Sequence, residues 1–194
     1  MNIKRAVLFI LLALSLGFVG NPTWAQMGMG HCPMCGQQWD GRYDGEMNIP
    51  EDLSKPGEAW LQRLSDVMGK EKLSEKQYVK DSRQYNLRLP YMRVIPDEEN
   101  HIAWIGGLFQ AFGETYANDA PPVKNTASPE EAYRVAMELE QELVPDYEWL
   151  IRNASDGQTR QIIETILLQT RMHYTMFQHA LNMGGMMGHG MMRR

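Results

Sequence analysis

Only two cysteines occur among the 194 residues, Cys32 and Cys35. They cannot build a disulfide framework, and two thiolates are half of a tetrahedral zinc knuckle. Basic residues number 19 against 24 acidic ones and never cluster, which leaves no footprint for nucleic acid. No stretch sustains apolar/polar alternation, so essentially no sheet is expected. Phosphate-cradling glycine loops, dinucleotide fingerprints and nucleophile-with-base pairs are absent too. What is left is a mildly acidic chain, net charge −5, long enough for one domain with a core of its own.

The two ends are biased in composition. Residues 1–25 read as a secretory signal: Lys4 and Arg5, an apolar run from Ala6 to Val19, then the small-residue cleavage pattern Thr23-Trp24-Ala25. The run is short for a membrane span, so the mature protein is expected in a bacterial periplasm or secreted, with no stable membrane insertion. Residues 26–55 form an extended arm rich in Gly, Pro and Asp, carrying His31-Cys32-Pro33-Met34-Cys35. Three readings of that pair stay open: a disulfide or redox pair, a soft-metal site with His31, Met27, Met29 and Met34 suited to copper, or no role. The tail, 183–194, repeats Met, Gly and His, is too Gly-rich to hold a helix, and offers thioether and imidazole ligands of the same kind.

Between the ends, in 56–182, the chain reads as helices with short breaks. Pro56 opens a leading helix over 56–70. Ser74 and Gln77 form a capping box for a second over 74–86. A third, over 91–112, is interrupted or kinked at Pro96. Ser128-Pro129-Glu130-Glu131 is a strong start for the fourth, with a bend at Pro145. The last spans 158–181. Apolar stripes at helical spacing, such as Ile102, Ile105, Phe109 and Phe112, predict an all-α bundle of four core helices behind the leading one.

Polar groups on those stripes carry the chemistry. Glu98 and His101 are three apart, share the apolar face of their helix, and need compensation if buried. Glu75, Glu140, Thr170 and His173 fall on the inward stripes of the other helices. Four helices each turning carboxylate or imidazole inward is the arrangement of a carboxylate-bridged metal box. The same groups could instead satisfy one another by hydrogen bonds.

The run from Pro90 to Ile102, with Ile95 and the Glu98-Glu99-Asn100-His101 quartet, resembles the second core helix of ferritin-like proteins, in a bacterial branch with a degenerate motif. Glu140 to Leu150 and His173 to Phe177 are similar to that branch's third and fourth core helices. The resemblance covers about Leu73 to Leu181. It implies a four-helix ferritin-like fold and a di-iron or di-manganese centre at Glu98, His101, Glu140, His173 and Glu75, with Gln77 or Glu71 as alternatives to Glu75. If such a centre is enzymatic, it is a di-iron-type oxidoreductase. A homo-oligomer through the bundle would fit. One departure stands out: Thr170 replaces the carboxylate expected three residues before His173.

Three functions therefore remain from sequence alone. One is an exported protein binding iron, manganese or zinc in the bundle core. Another is copper or heavy-metal sequestration by the Cys32/Cys35 arm and the Met-rich tail. The third is a metal-free helical interaction domain.

Overall fold

A computed structural model describes residues 47–116 and 119–190, with side chains as far as Met183. The expected signal at 1–25, Cys32, Cys35 and residues 191–194 lie outside the described residues. Four helices follow in order: α1 (Glu58–Gln84), α2 (Tyr91–Ala111), α3 (Pro129–Arg152) and α4 (Gly157–Gly190). No strand occurs among the described residues. No described helix is long and apolar enough to cross a membrane.

Two apolar clusters show how the helices run. One joins Trp60 and Leu64 of α1, Leu108 and Phe109 of α2, Leu143 and Leu150 of α3, and Ile163 and Ile166 of α4. The other joins Tyr78, Tyr91, Tyr133 and Phe177 from the opposite ends of the same helices. Thus α1 and α4 run one way, and α2 and α3 run the other. Successive helices that run parallel cannot be joined by a tight turn, so the segment after α2 must travel back along the bundle to reach α3, one long crossover of the ferritin kind. Its path along α1 is fixed at both ends. Lys55 pairs with Glu114 near one end, and Thr126 Oγ1 donates to Asp81 Oδ1 at 2.8 Å near the other.

The expected leading helix is not separate. Its residues and those of the second helix form the single 27-residue α1. Ser74 and Gln77 are buried in mid-helix rather than at a start. The Gln77 amide bonds the crossover instead, donating to the Lys124 carbonyl at 3.1 Å and accepting from the Lys124 N–H at 2.7 Å. Gln77, which reads as half of a cap, instead satisfies the backbone of a passing loop, a tertiary reason invisible in local spacing.

Elsewhere local rules hold. Ser128 Oγ accepts from the Glu131 N–H at 3.2 Å, Glu131 reaches back to the Ala127 N–H at 2.6 Å, and Pro129 follows the cap. Asp156 caps α4 by accepting from the Thr159 N–H at 2.8 Å. Both α2 and α3 continue through Pro96 and Pro145. The carbonyls those prolines deprive belong to Met92 and Gln141, exposed positions where water can take the missing bond. The backbone of α4 also runs past Leu181 to Gly190, correcting the expectation that the tail leaves the helix at 183. Extending an existing helix avoids the nucleation that makes isolated Gly-rich segments non-helical. Finally, the Gly106-Gly107 pair permits close approach, as a Cβ on Gly107 would sit 2.5 Å from Ile49 Cδ1.

Candidate metal centre

Between the two apolar clusters lies a layer of buried charge. Glu71 from α1, Glu98 and His101 from α2, Glu140 from α3 and His173 from α4 are all shut off from solvent. Two sets of donor atoms form within it. Glu71, Glu98 and His101 have ligand atoms within 4.8 Å of one another, and so do Glu98, Glu140 and His173. Glu98 belongs to both sets and divides its oxygens between them. Its Oε2 lies 3.6 Å from Nδ1 of His101, and its Oε1 lies 2.9 Å from Nδ1 of His173.

Of the sequence-expected residues, Glu98, His101, Glu140 and His173 converge. Glu75 does not: it is only half-buried and belongs to neither set, and Glu71, one turn earlier, stands in its place. The phase of α1 explains the slip. Counted along one uninterrupted helix, Leu64, Met68, Glu71, Ser74 and Tyr78 form one buried stripe. Placing a helix start at Ser74 hid the upstream half of that stripe.

Four of the five converging residues, all but Glu98, are held from behind. Tyr147 donates to Oε1 of Glu71, and Tyr78 donates to Oε1 of Glu140 at 2.7 Å. Nε2 of His101 donates to Oε1 of Gln169 at 2.9 Å, and Nε2 of His173 donates to Oδ2 of Asp97 at 3.3 Å. Both imidazoles therefore turn Nδ1 into the layer, since the outer nitrogen is the one carrying hydrogen toward an acceptor. None of these four supports was found by sequence reasoning. Asp97 and Gln169 each directly precede a stripe residue, and adjacent helical residues point about 100° apart, so no face pattern marks them. Only the pairing of α2 with α4 makes them visible.

The layer is electrostatically uncomfortable as it stands. Oε2 of Glu98 and Oε2 of Glu140 are buried with no hydrogen-bond partner, while Oε1 of Glu98 and Nδ1 of His173, 2.9 Å apart, have each other. Burial first, then the charges of Glu71 and Glu140, push the Glu98 carboxyl well above the usual range. Burial opposes charge on His101, but Glu71 and Glu98 overcome it and raise the imidazole to about 10. Burial likewise opposes charge on His173, and Glu140 with Asp97 and Glu98 raises it well above its ordinary value. Burial alone would raise Glu71, yet His101 and the Glu98 and Tyr147 hydrogen bonds hold it below the usual range.

A transition ion fits this donor set. Carboxylate oxygens and imidazole nitrogens suit iron, manganese and zinc. A cation would also give Oε2 of Glu98 and Oε2 of Glu140 the partner that buried polar atoms require. Thr170 contributes nothing to the layer, because its hydroxyl is turned back to the Ile166 carbonyl at 3.0 Å.

No family model matches this sequence, and no curated protein matches it. Among solved structures, the bundle is similar to one titled as a dodecameric thioferritin, a bacterioferritin-related protein from Bacteroides fragilis, with a TM-score of 0.63. The match covers 72% of this chain and 94% of that one at 13% identity. At that identity the likeness speaks for architecture: the chain has the ferritin-like four-helix fold.

Proposed function

We propose that this is an exported ferritin-like protein that holds iron or manganese between its four helices, with zinc the third candidate by donor chemistry. The observation that carries this reading is Glu98. Its fully buried carboxylate turns one oxygen to each of two histidines, 2.9 Å from His173 and 3.6 Å from His101, and lies among the carboxylates of Glu71 and Glu140, a concentration of negative charge that is costly unless a cation is shared there. Bound iron or manganese would supply one-electron redox chemistry, which makes an oxidoreductase role the natural one if the protein is an enzyme.

The rest of the work falls to residues of the chain. Glu71 and Glu140 would supply charge, with Tyr147 and Tyr78 fixing their rotamers. His101 and His173 would ligate through Nδ1. The apolar clusters on either side of the layer exclude water, which strengthens every interaction inside it. Export through the 1–25 signal to the periplasm is part of the proposal. So is self-assembly, given that the similar thioferritin is dodecameric. Light scattering of the purified protein tests that part.

The test of the metal reading is elemental analysis of purified full-length chain against His101→Ala and Glu98→Gln. The wild type should carry iron or manganese and both variants should lose most of it. Equal content in all three rules the site out.

The shared Met, Gly and His of both ends supports a second reading, copper or heavy-metal capture by Cys32, Cys35 and the Met183 to Met192 segment. Cu(I) titration of a tail-deleted, Cys-free variant decides it, and unchanged stoichiometry eliminates it.

A further inference from the structure

The two halves of the buried layer correspond residue for residue. Each has its own glutamate, Glu71 or Glu140, and each glutamate accepts from one tyrosine hydroxyl. Each has one histidine presenting Nδ1, and both share Glu98. The outer nitrogen of each histidine is held by a residue from the opposite helix of the α2/α4 pair. Asp97 on α2 holds His173 of α4, and Gln169 on α4 holds His101 of α2. In the sequence these supports occupy equivalent places, just ahead of Glu98-x-x-His101 and of Thr170-x-x-His173. The support itself differs between the halves: it is a carboxylate on one side and a neutral carboxamide on the other.

That difference bears on ion affinity. A carboxylate accepting a hydrogen bond from a ligating imidazole raises the ligand's basicity and adds negative charge near the ion, and a carboxamide does neither to the same degree. Asp97 is 4% exposed, so its charge acts through protein rather than water. That charge sits on Oδ2, the oxygen that accepts from Nε2 of His173 at 3.3 Å. Nε of Arg93 lies 3.6 Å from the same Asp97 oxygen, on a side chain 42% exposed, so solvent shares its compensating field.

Resting on the metal reading above, we propose that the two ion positions are unequal and fill in order, the Glu98/Glu140/His173 position first, because Asp97 backs His173 where Gln169 backs His101. Asp97 and Gln169 are thus positioning residues that set the affinity of each half without touching the ion.

The experiment uses the full chain, stripped with chelator and titrated with Mn(II) alone, with free Mn(II) followed by electron paramagnetic resonance. Mn(II) prefers oxygen and nitrogen, which keeps the Cys- and Met-rich ends out of the measurement. Asp97→Asn should weaken the tighter step about 10- to 100-fold and spare the weaker one, the range seen for such supporting groups. Gln169→Glu should tighten the weaker step. If only one ion binds, Asp97→Asn must weaken that one. A wild type whose binding is indifferent to Asp97→Asn, or whose steps weaken equally, overturns the inference and leaves the metal reading standing. No bound Mn(II) in the wild type overturns both. Should Asp97→Asn fail to fold, Gln169→Glu decides alone, because a purely structural role gives no gain in affinity, and the absence of a gain refutes the ordering.

Discussion

The Tyr78 hydroxyl on α1 donates to Oε1 of Glu140 on α3 at 2.7 Å, so a residue outside the ligand set fixes a residue within it. Tyr78→Phe removes that donor and leaves a buried carboxylate oxygen unsatisfied. Chemical denaturation of the metal-free protein should show a loss of about 1.5–3 kcal/mol, the usual worth of a hydrogen bond to a charged group. Metal affinity should fall alongside, by about 10- to 100-fold. A variant matching wild type in both measurements would show that the contact orients nothing.

The register of α1 gives a sharper contrast. Glu71 faces the layer and Glu75, one turn on, is only half-buried outside it. Glu71→Gln should lower bound metal in elemental analysis, whereas Glu75→Gln should leave it unchanged. The reverse pattern would restore Glu75 as the ligand and shift the helix phase.

Proton release should accompany metal binding. In the metal-free protein His101 titrates near 10, so at pH 7 it holds a proton that an ion must displace from Nδ1. Affinity should rise with pH across the neutral range, by about tenfold per unit for each proton displaced. Calorimetry in buffers of differing ionisation enthalpy measures the proton count directly. A pH-independent affinity would mean that the histidines are not ligands.

Glu98 should weigh on the metal-free fold in a pH-dependent way. Its folded value is raised above the unfolded one by burial and by Glu71 and Glu140. Above about pH 4.5 the native state therefore binds a proton that the unfolded chain has lost, and stability falls as pH rises. In chelator, Glu98→Gln should gain on wild type through that window, by up to about 1.4 kcal/mol per pH unit. With metal present the order should reverse, because only the wild type gains from ligand binding. Parallel pH profiles in chelator would sink this account of Glu98.

The sequence carried the fold class and four of the five residues that converge in the buried layer because both rest on helical periodicity. Glu98, His101, Glu140 and His173 sit at stripe positions, where a polar residue is conspicuous among apolar neighbours. Features that depend on a partner element were not legible. Gln77 reads as a capping residue until the crossover is seen lying against it. Asp97 and Gln169 read as ordinary flanking residues until α2 and α4 are placed side by side. Tyr78 and Tyr147 read as core aromatics, which they are, and nothing in one dimension shows which oxygen their hydroxyls reach.

Placing charge at mid-height splits the interior into two greasy compartments that scarcely touch except through the ionic storey. Each compartment can breathe on its own when that storey is loose, and ions held by donors that together come from all four helices would rivet them into one cooperative unit. Amide protons at the two ends should accordingly exchange at unrelated rates without metal and converge on a common, slower rate once it is bound.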